Sequence, residues 1–145
     1  MRGINDMEDK KELIFENGSL LKEEIEALLE SLPVDLTFVD KHDTVKYFNK
    51  AQSRIFKRSK TVIGRKVQQC HPQKSIHIVN RILEAFKKGK RDSAEFWIKL
   101  NERLIYIRYF AVRDREGRYL GTLEVTQDIT QIKKIKGEKR ILDWK

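Results

Sequence analysis

At 145 residues the chain has the size of one domain with a single hydrophobic core, and its 39% apolar residues gather in periodic segments, which excludes global disorder. No apolar run approaches the ~20 residues of a membrane-spanning helix, and the start Met1-Arg2-Gly3-Ile4-Asn5-Asp6 lacks the order of a secretion signal, so a soluble, cytoplasmic protein is expected. The lone Cys70 excludes an intrachain disulfide and every paired-cysteine motif, while the net charge of +9, spread among alternating acidic residues, fits a thermophile-like surface better than a nucleic-acid binder.

Residues 1–18 are polar and end in Asn17-Gly18; they read as a loose leader with a helical turn around Leu13-Ile14-Phe15. Ser19 is placed to cap a helix over 19–32, in which Leu21, Ile25, Leu28, Leu29 and Leu32 recur at helical spacing until Pro33 ends it. The period then changes to two. Val34, Leu36 and Phe38 alternate with Asp35, Thr37 and Val39, and the turn Asp40-Lys41-His42-Asp43 leads into Val45 to Phe48, a β-hairpin. From Asn49 to Val67 isolated apolar anchors suit short helical turns. Residues 75–88 form a helix with Ile76, Val79, Ile82, Leu83 and Phe86 on one side, stopped by Gly89. Three strands follow, Ala94 to Leu100, Leu104 to Val112 and Tyr119 to Gln127, joined by Asn101-Glu102 and Asp114-Arg115-Glu116-Gly117. The tail 130–145, with Ile132, Ile135, Ile141 and Leu142, reads as a basic amphipathic helix.

The expected fold class is therefore α+β, a five-stranded antiparallel sheet with helices over one face and flanking helices at both ends. This order resembles the PAS fold. The opening hairpin Phe38-Val39-Asp40 with Val45-Lys46-Tyr47-Phe48-Asn49, the Ile63-Gly64-Arg65 lead, and the final strand from Gly121 to Asp128-Ile129-Thr130 carry the resemblance, which spans 33–129 as the domain proper. Gly64-Arg65-Lys66-Val67, Cys70 to Ser75, Glu95-Phe96-Trp97-Ile98, Tyr109 to Asp114 and Gly121 to Asp128 resemble a PAS subfamily found C-terminally in bacterial and archaeal proteins with a hemerythrin-like domain. The resemblance implies sensing in a redox or oxygen context. The Asn-Cys-Arg-Phe-Leu-Gln stretch of flavin photoreceptors is absent, and Thr126 stands where their glutamine would lie, which argues against flavin photochemistry.

His71 is the first candidate ligand residue, because some heme-binding PAS domains place the axial imidazole just before the long helix. Cys70 beside it is an alternative thiolate ligand, so the expected cofactor is heme, with His71 on the iron. The competing reading makes His71-Pro72 structural, its ring bonded to a nearby carbonyl. The helical wheel puts His77 with Asn80, Arg81, Glu84 and Lys88 on the wet face, and a zinc site from Cys70, His71 and His77 would need a turn at Gln73 to Ser75. Asp128-Ile129-Thr130 is expected to transmit signals, Asp128 capping the exit helix so that strand and helix move together. No phosphate-binding glycine loop and no hydrolytic constellation is present, so the chain is not read as an enzyme. The expected function is a small-ligand sensor that homodimerises through helix 20–32 and the tail. A ligand-free PAS dimerisation or docking module is the alternative. A weaker alternative is a basic nucleic-acid binder using the aromatics Phe96, Trp97, Tyr106, Tyr109 and Phe110, while a membrane partner is not expected.

Overall fold

In the computed structural model, which describes residues 7–145, β1 (Glu12–Phe15) and β2 (Gly18–Leu21) pair as an antiparallel hairpin closed by Glu16-Asn17. Gly18 sits at φ 140°, a conformation open to glycine at little cost. This corrects the leader expected over 1–18: Leu13-Ile14-Phe15 is strand, not a helical turn, and residues 1–6 lie outside the described residues. The Ser19 cap is corrected too. Its hydroxyl donates across the hairpin to Glu12 Oε1 at 2.6 Å, and helix α1 (Lys22–Ser31) starts later, with the Leu21 N–H donating to Glu24 Oε1 at 2.8 Å.

The period-two segments form a sheet of β3 (Asp35–Asp40), β4 (Val45–Phe48), β5 (Ser93–Leu100), β6 (Arg103–Arg113) and β7 (Tyr119–Asp128), in the spatial order β4-β3-β7-β6-β5. All neighbours are antiparallel, so the α+β architecture is as expected. β7 lies at the centre between β3 and β6, with Thr37 of β3 opposite Glu124 and Val39 opposite Thr122. Because side chains alternate along a strand, Thr37, Val39, Tyr109, Thr122 and Glu124 share one face. Helix α2 (Ile76–Lys87) covers that face, burying Leu83 and Phe86. Val39, Val45, Val67 and Leu83 form the core cluster, with Val62, Cys70 and Val79 packed against it.

Gly121 is where β7 passes closest to β3. A Cβ there would sit 2.2 Å from the Val39 carbonyl oxygen and 2.7 Å from the Phe38 ring, so only glycine allows β3 and β7 to pair with Phe38 lying over the ladder.

A buried polar network fastens α1 to the sheet. Asn49 is fully buried; its Oδ1 accepts from Leu36 N–H at 2.6 Å while its Nδ2 donates to the Leu29 carbonyl at 2.7 Å and the Val34 carbonyl at 3.1 Å. Arg54 donates from Nη1 to the carbonyls of Leu36 and Asn49 at 2.9 and 3.0 Å, and from Nη2 to Thr37 Oγ1 at 3.0 Å. Asp35 Oδ2 accepts from Ile55 N–H at 2.7 Å. A loop rich in polar residues can lie against the sheet here because the buried Asn49 and Arg54 donors find carbonyl and hydroxyl acceptors.

Beyond Asp128 the expected helix over 130–145 is absent. One 3-10 turn, Ile132–Lys134, is followed by irregular chain to Lys145. Ile132, Ile135, Ile141 and Leu142 are exposed, so the apolar stripe buries nothing, and Gly137 adopts φ 65°. A short helix without a packing partner does not repay its nucleation cost. Among the described residues no helix is long and apolar enough to cross a membrane.

Candidate functional site

Helix α2 does not lie flush on the sheet. Between them is a cavity of about 30 Å³ lined by Val39, Val67, Val79, Ile82 and Leu83 on its apolar side and by Thr37, Arg58, His71, Tyr109, Thr122 and Glu124 on its polar side. The apolar wall follows from the spacing of α2, which turns positions 79, 82, 83 and 86 inward. The polar wall comes from β7, where Thr122, Glu124 and Thr126 share the inner face while Leu123 and Val125 point outward.

At the centre of the polar wall Arg58 Nη2 meets Glu124 Oε1 at 3.3 Å, the two side chains being only 13% and 12% exposed. The Arg58 Nε–H is buried and reaches no acceptor among the described residues. Burial pushes the Tyr109 phenol well above its ordinary pKa, and the neighbouring Glu124 carboxylate, to which it is hydrogen-bonded, adds to the shift. Arg54 is held below its ordinary pKa by burial and then by Arg58, with Asp35 and Glu124 opposing. Arg58, Asp35 and Glu124 thus lie within electrostatic reach of Arg54, and of these charged groups Arg58 and Glu124 line the cavity.

His71 lines this cavity and Cys70 does not, so the two adjacent residues part company. The Cys70 thiol donates to the Lys66 carbonyl at 3.7 Å and packs on the core cluster. His71 Nδ1 lies 2.9 Å from the Val67 carbonyl oxygen; since a carbonyl only accepts, Nδ1 carries a proton, and the neutral ring in this position has its lone pair on Nε2. That is the tautomer a metal-binding imidazole adopts. The space is wrong for a porphyrin, however: about 30 Å³ admits one or two water-sized groups, whereas pockets for drug-sized ligands and cofactors hold about 300–1,000 Å³. Heme does not fit the site as built. His77 is exposed on α2, as the wheel predicts, and among the described residues no three His, Cys, Asp or Glu side chains converge on a metal position.

The sheet aromatics divide between the two faces. Phe96 and Tyr109 meet edge to face on the inner side with centroids 6.0 Å apart, while Tyr106 and Phe110 flank the Arg108 guanidinium on the outer side at 4.8 and 5.6 Å, with Trp97 exposed beside them.

Asp128-Ile129-Thr130 forms a stitched strand end. Asp128 Oδ1 accepts from Thr130 N–H at 3.0 Å and from the Thr130 hydroxyl at 2.5 Å, and Thr130 Oγ1 in turn accepts from Leu104 N–H at 2.9 Å. Ile129 N–H donates to the Leu104 carbonyl at 2.9 Å. These bonds, the Thr130 hydroxyl foremost, hold the Asp128 pKa below its ordinary value. The expected N-cap is thus a local turn that fixes the chain to the start of β6.

Arg58, Glu124 and Thr37 were not singled out from the sequence as site residues. The available signal was the run of polar inner positions Thr122, Glu124 and Thr126 alternating with Gly121, Leu123 and Val125.

A model of the PAS domain family matches residues 25–130. The C-terminal domain of a Streptococcus mutans protein is 35% identical in sequence, the match covering 86% of this chain and 96% of that one with a TM-score of 0.80. The PAS domain of BvgS from Bordetella pertussis matches at 18% identity over 74% of this chain and 85% of its own, TM-score 0.56. A sensory box sensor histidine kinase from Vibrio cholerae matches at 15% over 73% and 89%, TM-score 0.52. No curated protein matches. The opening hairpin, the helix-covered face with its cavity, the Asp-Ile-Thr strand end and the family match over most of the chain agree, and this protein belongs to the PAS domain family.

Proposed function

We propose that this PAS domain is a binding module, not a catalytic one, which takes a small ligand in the cavity beneath α2 and relays its occupancy along β7 to Asp128-Ile129-Thr130. The observation that carries this reading is a buried ion pair, Arg58–Glu124, facing an apolar wall, with Glu124 on the strand that ends in Asp128. A ligand larger than the cavity would press on Val79, Ile82 and Leu83 and bias α2 away from the sheet, so its differential affinity for the displaced state would set the signal. A cytoplasmic location and a redox context belong to the same proposal. So does dimerisation: Ile14, Phe15, Leu28 and Leu32 expose apolar surface on the hairpin and α1 that a second copy would cover. The small cavity together with this surface favours the second reading, a ligand-free dimerisation module.

Two measurements separate the readings. Val79→Phe fills the cavity from its apolar side; under the sensor reading it moves the amide resonances of Thr122, Glu124 and Thr130, and a spectrum changed only around residue 79 would sink the relay. Titration with small organic compounds should give saturable shifts at Thr37 and Thr122. Hemin, by contrast, should keep its free absorption spectrum; a Soret band that disappears in His71→Ala would overturn the geometric exclusion of heme.

A further inference from the structure

We propose that β5 pairs edge to edge with the β5 of a second copy, about a two-fold axis through Trp97, joining the two sheets into one. This contact goes beyond the sensor reading and is separate from the hairpin and α1 surface, so the two can be tested apart.

The edge is open. β5 is the last strand of the sheet and is hydrogen-bonded to β6 alone. At the opposite edge β4 is covered, where Val45 N–H donates to the Arg65 carbonyl at 2.9 Å and the Val45 carbonyl accepts from Gly64 N–H at 2.8 Å. The ladder fixes which backbone groups of β5 are free. Ala111 N–H donates to the Asp92 carbonyl at 2.9 Å, and β5 and β6 run on from there without a register shift. Even-numbered residues of β5 therefore turn their N–H and C=O toward β6, while Ser93, Glu95, Trp97 and Lys99 turn theirs outward. A strand of 8 residues with Trp97 63% exposed, and with Phe96 and Ile98 exposed on either side of it, is a template for another strand.

The strand that fits is β5 itself. Across the new seam the outward-turned residues must face one another in hydrogen-bonded pairs, and the position of the axis decides which ones meet. An axis at Glu95 or at Lys99 sets like charges opposite each other, which is unfavourable. An axis at Phe96 or Ile98 sets neither charge opposite its complement. An axis at Trp97 sets Glu95 opposite the second copy's Lys99, twice by symmetry, and Trp97 opposite its own counterpart, so the contact is self-complementary and closes as a pair. Phe96 then meets the second copy's Ile98 in the closer pairs between them. Three hydrogen-bonded pairs supply about six backbone bonds. The faces agree as well: Glu95, Trp97 and Lys99 lie on the outer face and Phe96 and Ile98 on the inner one, and an axis normal to the sheet keeps each face with its like. Glu95 accepts from the Tyr106 hydroxyl and lies opposite Arg108, and it keeps both neighbours in this arrangement.

The test follows amide hydrogen exchange of the full chain against protein concentration, with the mass read by sedimentation. On association the amides of Glu95, Trp97 and Lys99 should become protected, while those of Phe96 and Ile98, already bonded to β6, should not change. Trp97→Pro removes an outward N–H that β6 does not use, so the domain should stay folded and self-association should weaken about tenfold or more. Glu95→Lys and Lys99→Glu should each be monomeric alone and should associate when mixed, because only the mixture restores opposite charges at both ends of the seam. If thermal unfolding shows that Trp97→Pro does not fold, the mixing experiment decides. Charge variants that fail to associate when mixed, from a parent that does associate, would overturn the proposal. An association that survives Trp97→Pro and is lost in Ile14→Asp would assign the second copy to the hairpin and α1 and overturn the β5 seam alone. A chain monomeric at millimolar concentration would overturn both contacts. A monomer in which a glutamate-rich peptide protects the same three amides would give the edge to a foreign strand, drawn by Arg81 and Arg91 beside it, and would overturn self-pairing.

Discussion

Asn49→Ala tests whether the buried polar network fastens α1 to the sheet. The substitution deletes three hydrogen bonds, from Leu36 N–H and to the Leu29 and Val34 carbonyls. At about 1 kcal/mol each this is about 3 kcal/mol, and the Leu36 N–H, left buried and unpaired, adds about 1 kcal/mol more. With a urea m-value of about 2 kcal/mol/M, the unfolding midpoint should fall by about 1.5–2 M at unchanged m. Asn49→Asp is the control: it keeps an acceptor for Leu36 N–H but turns the amide donor into an oxygen facing two carbonyls, so it should lose a comparable amount at neutral pH. A midpoint shift below about 0.5 M for the alanine variant, or an aspartate variant as stable as the parent, would refute the assignment, since either requires that water replace bonds made by a fully buried side chain.

Gly121→Ala should be among the most damaging single changes, because its Cβ would meet backbone at 2.2 Å; a loss of about 3 kcal/mol or more is expected, seen as a melting temperature lower by roughly 10 °C. Acidification should release the strand end at Asp128. Its folded pKa lies below the ordinary 3.8, so its contribution is fully present above about pH 4 and is lost as the pH falls through the folded value; the Thr130 amide shift should titrate below pH 4 in the parent and stay flat in Asp128→Asn. Removing residues 135–145, which are exposed throughout, should change stability by less than about 0.5 kcal/mol; a larger loss would mean that the tail packs on the domain.

The hairpin of β3 and β4, helix α2 and the three-strand meander were legible because each buries one face, and burial writes its period into the sequence. The first hairpin was not. Leu13-Ile14-Phe15 is too short a run to distinguish helix from strand, and Asn17-Gly18, a hairpin signal, also suits the end of a polar leader. The tail failed for the opposite reason: Ile132 and Ile135 have helical spacing, but spacing forms a helix only where something covers the stripe. At the site, apolar spacing correctly identified Val79, Ile82 and Leu83. Arg58 and Glu124 were hidden because they are 66 positions apart and nothing local marks either charge as buried. His71 and Cys70, read together as ligand residues, diverge: His71 lines the cavity whereas Cys70 packs against the core cluster, a difference of direction that sequence adjacency does not encode.

The pairing of Asp35 with Thr126 places the beginning of β3 beside the end of β7. The chain therefore enters and leaves the sheet at one end, and the Arg58–Glu124 pair lies only one inner-face position further along, about 7 Å away along the strand. If such units were joined in series, the incoming and outgoing connections would run side by side, and each cavity would lie nearer to both of its connections than they lie to the far edge of the sheet. A displacement there would need no long lever. It would act on two neighbouring strands at once, altering the spacing or angle of their exits rather than moving either one alone.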